Sequence, residues 1–520
     1  MRKLFFILVF IFSAVAGMNA QHLKNAAVAD SEFFYLYGGT SSDIGRSIKE
    51  THDGGYIIAG TSSSFGPGAA SVYLIKTDSM GKHLWSNTYG GHQNDWGYTL
   101  ELTYDSGYFV AGYSNSFNPS NGYDVYYFKT DRNGNLLWEK TVSGTEWDFI
   151  YGSVAMPDSG FVLCGETYTQ SNGGTDAYLI RLNKDGDPLW TKHYGDSLDE
   201  TFNAVTVMNN RIYAVGKNQT HSAAKDTAAD AWIVKLDFNG VILKDTSINN
   251  ATYNHFEEIL LGITPYPTGD FFHFCGRENQ LDNNATSSLF GRLDTALVGG
   301  WMFSKGPKSP GYVEIFNHVI NLDTGNVCAI GNAFGGLGGQ NMYIVGFGPG
   351  DNFINGFIRH SGGTQNDYGY DGIFTSKKKI VGIGSSESFC AGLEDVFLVR
   401  FDGDTIQNGI LTALSPKIVC FTDTLSLWVV STKTFNSDYK INLFPNPAGN
   451  ATQLQINCSG QKTFTAKVYS VLGTEVFSSK VESNISNQLD ISTLPEGSYF
   501  IKVLDEKEQT LSVLKLVVSK

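Results

Sequence analysis

Carboxylates recur at one distance from a glycine throughout the chain. Asp43, Asp95, Asp148, Asp199, Glu314 and Asp367 each stand seventeen residues ahead of a strand-ending glycine: Gly60, Gly112, Gly165, Gly216, Gly331 and Gly384. A seventh glycine, Gly276, has Glu257 or Glu258 at a spacing that slips by a residue or two. Gathered around one opening, such acids bind a cation or the hydroxyls of a sugar; held singly, each caps the backbone amides of its own loop. One acid per unit at constant register suits capping better, because a ligand site needs donors that converge on one point. Aromatic residues stand close by: Trp96, Tyr98, Trp147, Tyr151, Phe202, Tyr368 and Tyr370. Their faces can stack on sugar rings, but an interface between neighbouring units also needs bulky side chains, and packing is the preferred reading. Trp85, Trp138 and Trp190 recur at equivalent places and read as packing outright.

Other chemistries leave weaker traces. The turns "DRNGN" and "NKDGD" lack the closing Glu of a calcium loop and read as hairpin turns. Ten histidines are scattered without a metal-binding spacing, no cysteine spacing resembles a zinc site, and no metal or cofactor is expected. Nothing marks a nucleophile elbow or the paired carboxylates of a glycosidase, so no catalytic residue is assigned. With 37 basic and 51 acidic residues the net charge is −14, and no basic run exists, which excludes a nucleic-acid partner. Asp-Ser/Thr-apolar triplets begin at Asp78, Asp196, Asp226, Asp294, Asp404 and Asp423. They resemble a bacterial O-glycosylation site, although several fall in turns.

The elements that carry these residues repeat. "VYLIKTDSMGKHLWSNTYGG" from Val72 returns as "VYYFKTDRNGNLLWEKTVSG" from Val125 and "AYLIRLNKDGDPLWTKHYGD" from Ala177, with a weaker copy at Ala231. A small polar residue precedes the third strand of every copy: Ser71, Asp124, Asp176, Asp230, Ser287, Asn341 and Asp395. Each unit holds four short strands, A to D, with Asp/Asn–Gly turns between A and B and between C and D. Seven such units over about residues 31–416 predict an all-β, seven-bladed β-propeller. The long B–C and D–A links then gather on one face, around the mouth of the central channel, where binding is expected. The mouth set is Asp43, Asp95, Asp148, Asp199, Asp367, Trp96, Tyr98, Trp147, Tyr151 and Tyr370. "EFFYLYGG" at Glu32–Gly39 reads as a D strand placed before the first A strand, and another D-like segment lies around Thr405–Leu411. An N-terminal strand completing the last blade would lock the ring, with the extra strand outside it.

Residues 1–20 have the basic, apolar and small-residue sections of a secretory signal, with cleavage after Ala20. No cysteine follows the cut, which disfavours a lipid anchor, and the mature protein is expected to be exported and soluble. Cys164, Cys275 and Cys328 lie near one point of three different units and read as buried free thiols; Cys390 and Cys420 are left open as a pair. The units resemble the β-propeller repeats common in exported proteins of Bacteroidota, most closely in "YGGTSSDIGRSIKETHDGGYIIAGT" at Tyr37–Thr61. That family implies the fold and little about activity. Residues 417–440 read as a linker or extra strands. After them "FPNP" at Phe444–Pro447, "LGTEV" at Leu472–Val476 and "L..G.Y..KV" at Leu494–Val503 are similar to the type A C-terminal sorting domain of type IX secretion. For residues 441–520 this implies a small Ig-like β-sandwich, the secretion machinery as partner, and release or attachment to surface lipopolysaccharide. The leading expectation is a secreted or cell-surface propeller that binds a glycan or protein through its long-loop face. A polysaccharide-degrading enzyme or a structural surface protein stands as the alternative; the same residues in blade after blade argue against catalysis, which needs one distinctive acid–base set.

Overall fold

The computed structural model describes residues 33–118, 122–169, 171, 174–219, 228–248, 256–280, 284–305, 312–322, 326–334, 339–348, 352–389, 393–402, 420–422, 440–444, 450–470, 475–495, 497–505 and 510–518. Among them there are strands and turns and no helix. The signal segment, Thr405–Leu411, Cys390, most of 417–440 and the Pro–Asn–Pro of the tail lie outside the described residues.

Alternation of apolar residues and tight Gly-containing turns folds the described residues between 33 and 402 into seven sheets that follow one another along the chain. Six are built from four consecutive strands; the first uses Asp43–Glu50, Tyr56–Ser62, Ser71–Thr77 and His83–Tyr89. Gly81, Gly134, Gly186 and Gly240 close the C–D turns at φ of 77°, 80°, 78° and 71°, a backbone region that favours glycine. The seventh sheet has only three strands of its own, ending at Asp395–Asp402, and takes Phe33–Gly38 as its fourth, antiparallel, with Tyr37 opposite Val396. The N-terminal strand therefore closes the ring, and Cys420–Thr422 adds a short parallel strand outside it. Seven apolar clusters fill the seven gaps between neighbouring sheets, and the last joins Ile48, Ile58 and Ile75 of the first to Val381, Ile383 and Leu398 of the seventh. Each fully buried aliphatic side chain contributes about 1.5–3 kcal/mol. This is a β-propeller whose sheets are its blades.

Tyrosine hydroxyls fasten the rim. Tyr37, Tyr89 and Tyr194 donate to the turn carbonyls of Gly81, Gly134 and Gly240 in the next blade, at 2.5, 2.6 and 2.8 Å. Trp85, Trp138 and Trp190 lie over Gly134, Gly186 and Gly240 of the following blade, close enough that a Cβ there would meet the indole within 3 Å. Cys164, Cys275 and Cys328 are buried free thiols whose pKa burial pushes up.

Every A strand carries a β-bulge at the same place. The register skips between Gly45 and Ser47, Gly97 and Thr99, Ile150 and Gly152, Phe202 and Ala204, Leu260 and Gly262, Phe316 and His318, and Gly369 and Asp371. The bulge explains the marker glycine of strand B. A Cβ at Gly60 would stand 1.8 Å from the Ile44 carbonyl oxygen, and the other six markers meet the matching carbonyl at 1.7–2.0 Å. Backbone approaches backbone so closely that no side chain fits.

Beyond the propeller, one sheet joins Lys440–Phe444, Ala451–Asn457 and Ser486–Asp490, and a second joins Glu475–Glu482, Thr463–Ser470, Gly497–Leu504 and Thr510–Val518. Leu454, Ile456 and Leu489 of the first and Phe464, Val468, Ile501 and Leu516 of the second make one buried cluster, so the tail has its own core.

Candidate functional site

Strand A runs from the long-loop face to the short-turn face, and the acids open it. Asp43, Asp95, Asp148 and Asp367 are each the first residue of their strand and buried, at most 2 % exposed. Asp95 accepts from Gly91 N at 2.8 Å, Ser116 Oγ at 2.9 Å and the Ser114 hydroxyl. Asp367 repeats this with Gly363 N at 2.7 Å, Ser388 Oγ at 2.7 Å and the Ser386 hydroxyl, and Asp43 with Gly39 N and Ser64 Oγ at 2.8 and 2.6 Å. The main chain at this position also ties blades together, as Asp95 N donates to Ala70 O at 3.0 Å and Asp148 N to Tyr123 O at 2.8 Å. Burial pushes the carboxyls of Asp43, Asp95 and Asp367 above the usual range, against the pull of these donors. Asp148 reaches about 6, because burial and then nearby Asp124 outweigh the Thr167 and Thr169 hydroxyls.

In the fourth blade the acid at this register is Glu200, not Asp199. Glu200 opens strand A opposite Asn218, is 0 % exposed and accepts from Asp196 N at 3.0 Å. Asp199 is half-buried one residue earlier and accepts from Thr175 N at 2.9 Å. In the fifth blade the buried acid is Glu258, opposite Glu278. The A–B turn causes both slips: Asn209 and Asn210, at φ of 51° and 55°, make a shorter hairpin in blade four, and blade five has a longer one through Gly269. A spacing counted across that turn shifts with it.

Three residues on, the bulged residue of each strand is Arg46, Tyr98, Tyr151, Asn203, Leu261, Asn317 or Tyr370. A bulge turns its extra side chain out of the sheet, and on the innermost strand that direction is the channel. Arg46 lies over the rings of Tyr370 and Tyr98, 4.1 and 5.0 Å from the centroids. Tyr98 meets Tyr151 at 5.6 Å and Tyr113 at 5.3 Å, Trp96 stacks on Tyr113 at 6.2 Å, and Tyr368 stacks on Tyr370 at 6.1 Å. Phe149 and Tyr123 extend the group to Trp147, which is 50 % exposed. These aromatics, from blades seven, two and three, make an arc that Arg46 of blade one bridges. Phe202 is not part of it; it is fully buried, stacked on Trp232 at 4.9 Å between blades. Opposite the arc, Asn203 and Asn317 donate to the carbonyls of Leu260 and Gly369 at 2.9 and 2.7 Å and so brace the next bulge.

Further along the same strands lies a charged set that the search for repeated residues missed. Lys49 Nζ is 3.2 Å from Glu101 Oε1, and His318 Nδ1 is 3.3 Å from Asp371 Oδ1. The other oxygen of Asp371 accepts from Ser47 Oγ at 3.0 Å and Ile48 N at 2.9 Å across the closure of the ring. Burial holds His318 below its ordinary pKa despite Asp371, while Glu101 and Asp371 raise the Lys49 ammonium against its burial. Counting from the marker glycine was the available signal: Arg46, Tyr98, Tyr151, Asn317 and Tyr370 each stand fourteen residues before theirs. The turn carboxylates that looked faintly like calcium ligands are engaged locally, Asp131 Oδ1 by the amides of Asn133 and Asn135 at 2.8 and 2.9 Å. Among the described residues no group of three or more His, Cys, Asp or Glu is placed to hold a metal ion.

Residues 442–519 match the secretion system C-terminal sorting domain, on the two sheets with their separate core. That tail marks the chain for export by the type IX route, to the medium or the cell surface. No curated protein matches the sequence. Among solved structures, the Pan2 WD40 domain of Neurospora crassa is similar at 9 % identity over 70 % of this chain and 89 % of that one, TM-score 0.41. The propeller domain of the trilobed protease of Pyrococcus furiosus is similar at 10 % identity over 74 % and 99 %, TM-score 0.41. PorZ, a surface component of the type IX system of Porphyromonas gingivalis, is similar at 11 % identity over 93 % and 60 %, TM-score 0.39.

Proposed function

We propose that this is a seven-bladed propeller, carried across the outer membrane by its sorting tail, that binds a glycan at the long-loop mouth of its channel. The aromatic arc carries this reading: Tyr98, Tyr151 and Tyr370 occupy one bulged position on three blades, with Trp96 and Trp147 above them. Aromatic faces held on rigid strands suit sugar rings, which offer apolar C–H faces and hydroxyl edges. The buried acids serve the frame, because their oxygens already accept from loop amides and hydroxyls. A glycan array with the mature chain tests the reading, and loss of retention in Tyr98→Ala and Tyr151→Ala proteins is expected. Retention of a protein ligand and no sugar would replace glycan by protein. Removing residues 441–520 is expected to leave the protein in the periplasm; a truncated protein still found outside the cell overturns the sorting role.

A polysaccharide-degrading activity stands as the second reading, on one observation. Lys49, Glu101, His318 and Asp371 form an asymmetric set, drawn from four blades and not repeated. The His318–Asp371 contact orients the imidazole as a base requires. Release of reducing ends from a polysaccharide, lost in His318→Gln, supports an enzyme; unchanged polymer across a substrate panel leaves a binding protein.

A further inference from the structure

We infer that Arg46 anchors an anionic group, and that the ligand of the channel mouth is an acidic saccharide bearing a carboxylate or a sulfate. The inference rests on the glycan reading and narrows it. In a chain with 51 acidic and 37 basic residues, a cation near the core is expected to find a carboxylate. Several others around the ring do: Lys49 pairs with Glu101, Lys76 with Asp53, Lys129 with Asp105 and Arg181 with Asp158. Arg46 has no carboxylate partner among the described residues. Its contacts are the faces of Tyr98 and Tyr370, and its Nε is buried without a hydrogen bond. Stacking uses the face of a guanidinium and leaves its in-plane N–H fork free, the geometry that takes a carboxylate or sulfate two oxygens at a time.

The surroundings favour an outside ligand over an internal partner. Of the seven bulged residues that face the channel, Arg46 is the sole cation, and six are neutral. The rim carboxylates are held elsewhere: Glu166 accepts from Tyr151 OH at 2.9 Å and Thr201 Oγ1 at 2.6 Å, and Glu394 from Ser42 Oγ at 2.9 Å and the Ser385 hydroxyl. Selectivity follows from the overall charge. A protein of net −14 repels anions generally, so an acidic sugar is kept only where a directed cation outweighs that field. Tyr151, next to Tyr98, and Trp96, stacked on Tyr113, are left to meet the sugar ring.

The test is binding of the mature full chain to matched oligosaccharides: uronates, sulfated sugars, and the same chains with the charge removed by methyl esterification or desulfation. The wild type is expected to prefer the charged member at least tenfold, and to show which anion it takes. Arg46→Met is expected to abolish that preference, and Arg46→Lys, which keeps the charge but loses the fork, to retain part of it. Equal binding of charged and neutral members, or an unchanged preference in Arg46→Met, overturns the inference. Retention of neutral sugars alone leaves the glycan reading standing and removes the anion; retention of no sugar overturns both. Should Arg46→Met melt too low to assay, the wild-type comparison and Arg46→Lys decide.

Discussion

Two positions on the same strands, three residues apart, have opposite histories. At or near the start of strand A, each of the seven described sheets carries a buried acid: Asp43, Asp95, Asp148, Glu200, Glu258, Glu314 and Asp367. At the bulge they carry one arginine, three tyrosines, two asparagines and a leucine. The first position meets its own blade and the one before, so each copy faces the same demand and keeps the same answer. The second faces the shared channel, where seven side chains meet one another and no two need be alike. Repetition here marks the frame, and divergence marks the surface that recognises something.

If that division holds, the largest effects should come from the frame. Gly112→Ala places a Cβ 1.9 Å from the Trp96 carbonyl, so the bulge must move, and a loss of roughly 4 kcal/mol or outright misfolding is expected in denaturant titration. Such a protein melting like the parent would mean the bulge is soft, and the aim of the channel side chains with it. Asp95→Ala strands the donors of Gly91, Ser114 and Ser116 and is expected to lower stability by roughly 1–3 kcal/mol, with Asp148→Ala similar and calcium without influence on either. Mutants that melt higher and lose a calcium-dependent shift would make the acid ring a cation site.

A smaller effect should appear with pH. Asp148 has a folded pKa of about 6, above its unfolded value. Between the two the native state holds the proton more tightly, so its contribution to stability grows as pH falls from 7 to 5 and fades as pH rises through 6. The gain is on the order of 1 kcal/mol. His318, which burial holds below its ordinary pKa, works in the opposite direction. The measurement is therefore the difference between wild type and Asp148→Asn: wild type should gain relative to the variant on acidification, and parallel curves would reject the assignment. Smallest of all should be the stability change in Tyr98→Phe, within about 0.5 kcal/mol by thermal melt, because the residue faces the channel and its hydroxyl meets Tyr113 OH only at 3.5 Å. A larger loss would move the tyrosines from the recognising surface into the frame.

Much of the frame was legible in the chain because its causes are local. Four strands per unit follow from alternation and Asn/Asp–Gly turns, and Gly60 or Gly112 stood out because a bulge beside them admits no side chain. The count from that glycine reaches Asp43, Asp95, Asp148, Glu314 and Asp367 where strand A opens and slips by one at Asp199, since the intervening hairpin is shorter in the fourth blade. Tyr98, Tyr151 and Tyr370 were visible as aromatics, while Arg46 escaped because a search for what recurs passes over what occurs once.

The sequence by itself determined the repeat, the strands, the turns and the sorting tail, each fixed by interactions among residues close in the chain. Only the tertiary structure decided that Phe33–Gly38 closes the seventh blade, because that pairing sets Tyr37 against Val396 some 360 positions away. Closure in turn brings Ser47 and Ile48 to Asp371, and Arg46 to Tyr370. These contacts join the two ends of the propeller, and no local pattern encodes them: they exist because a twisted stack of seven sheets comes round to bury its last open face against its first.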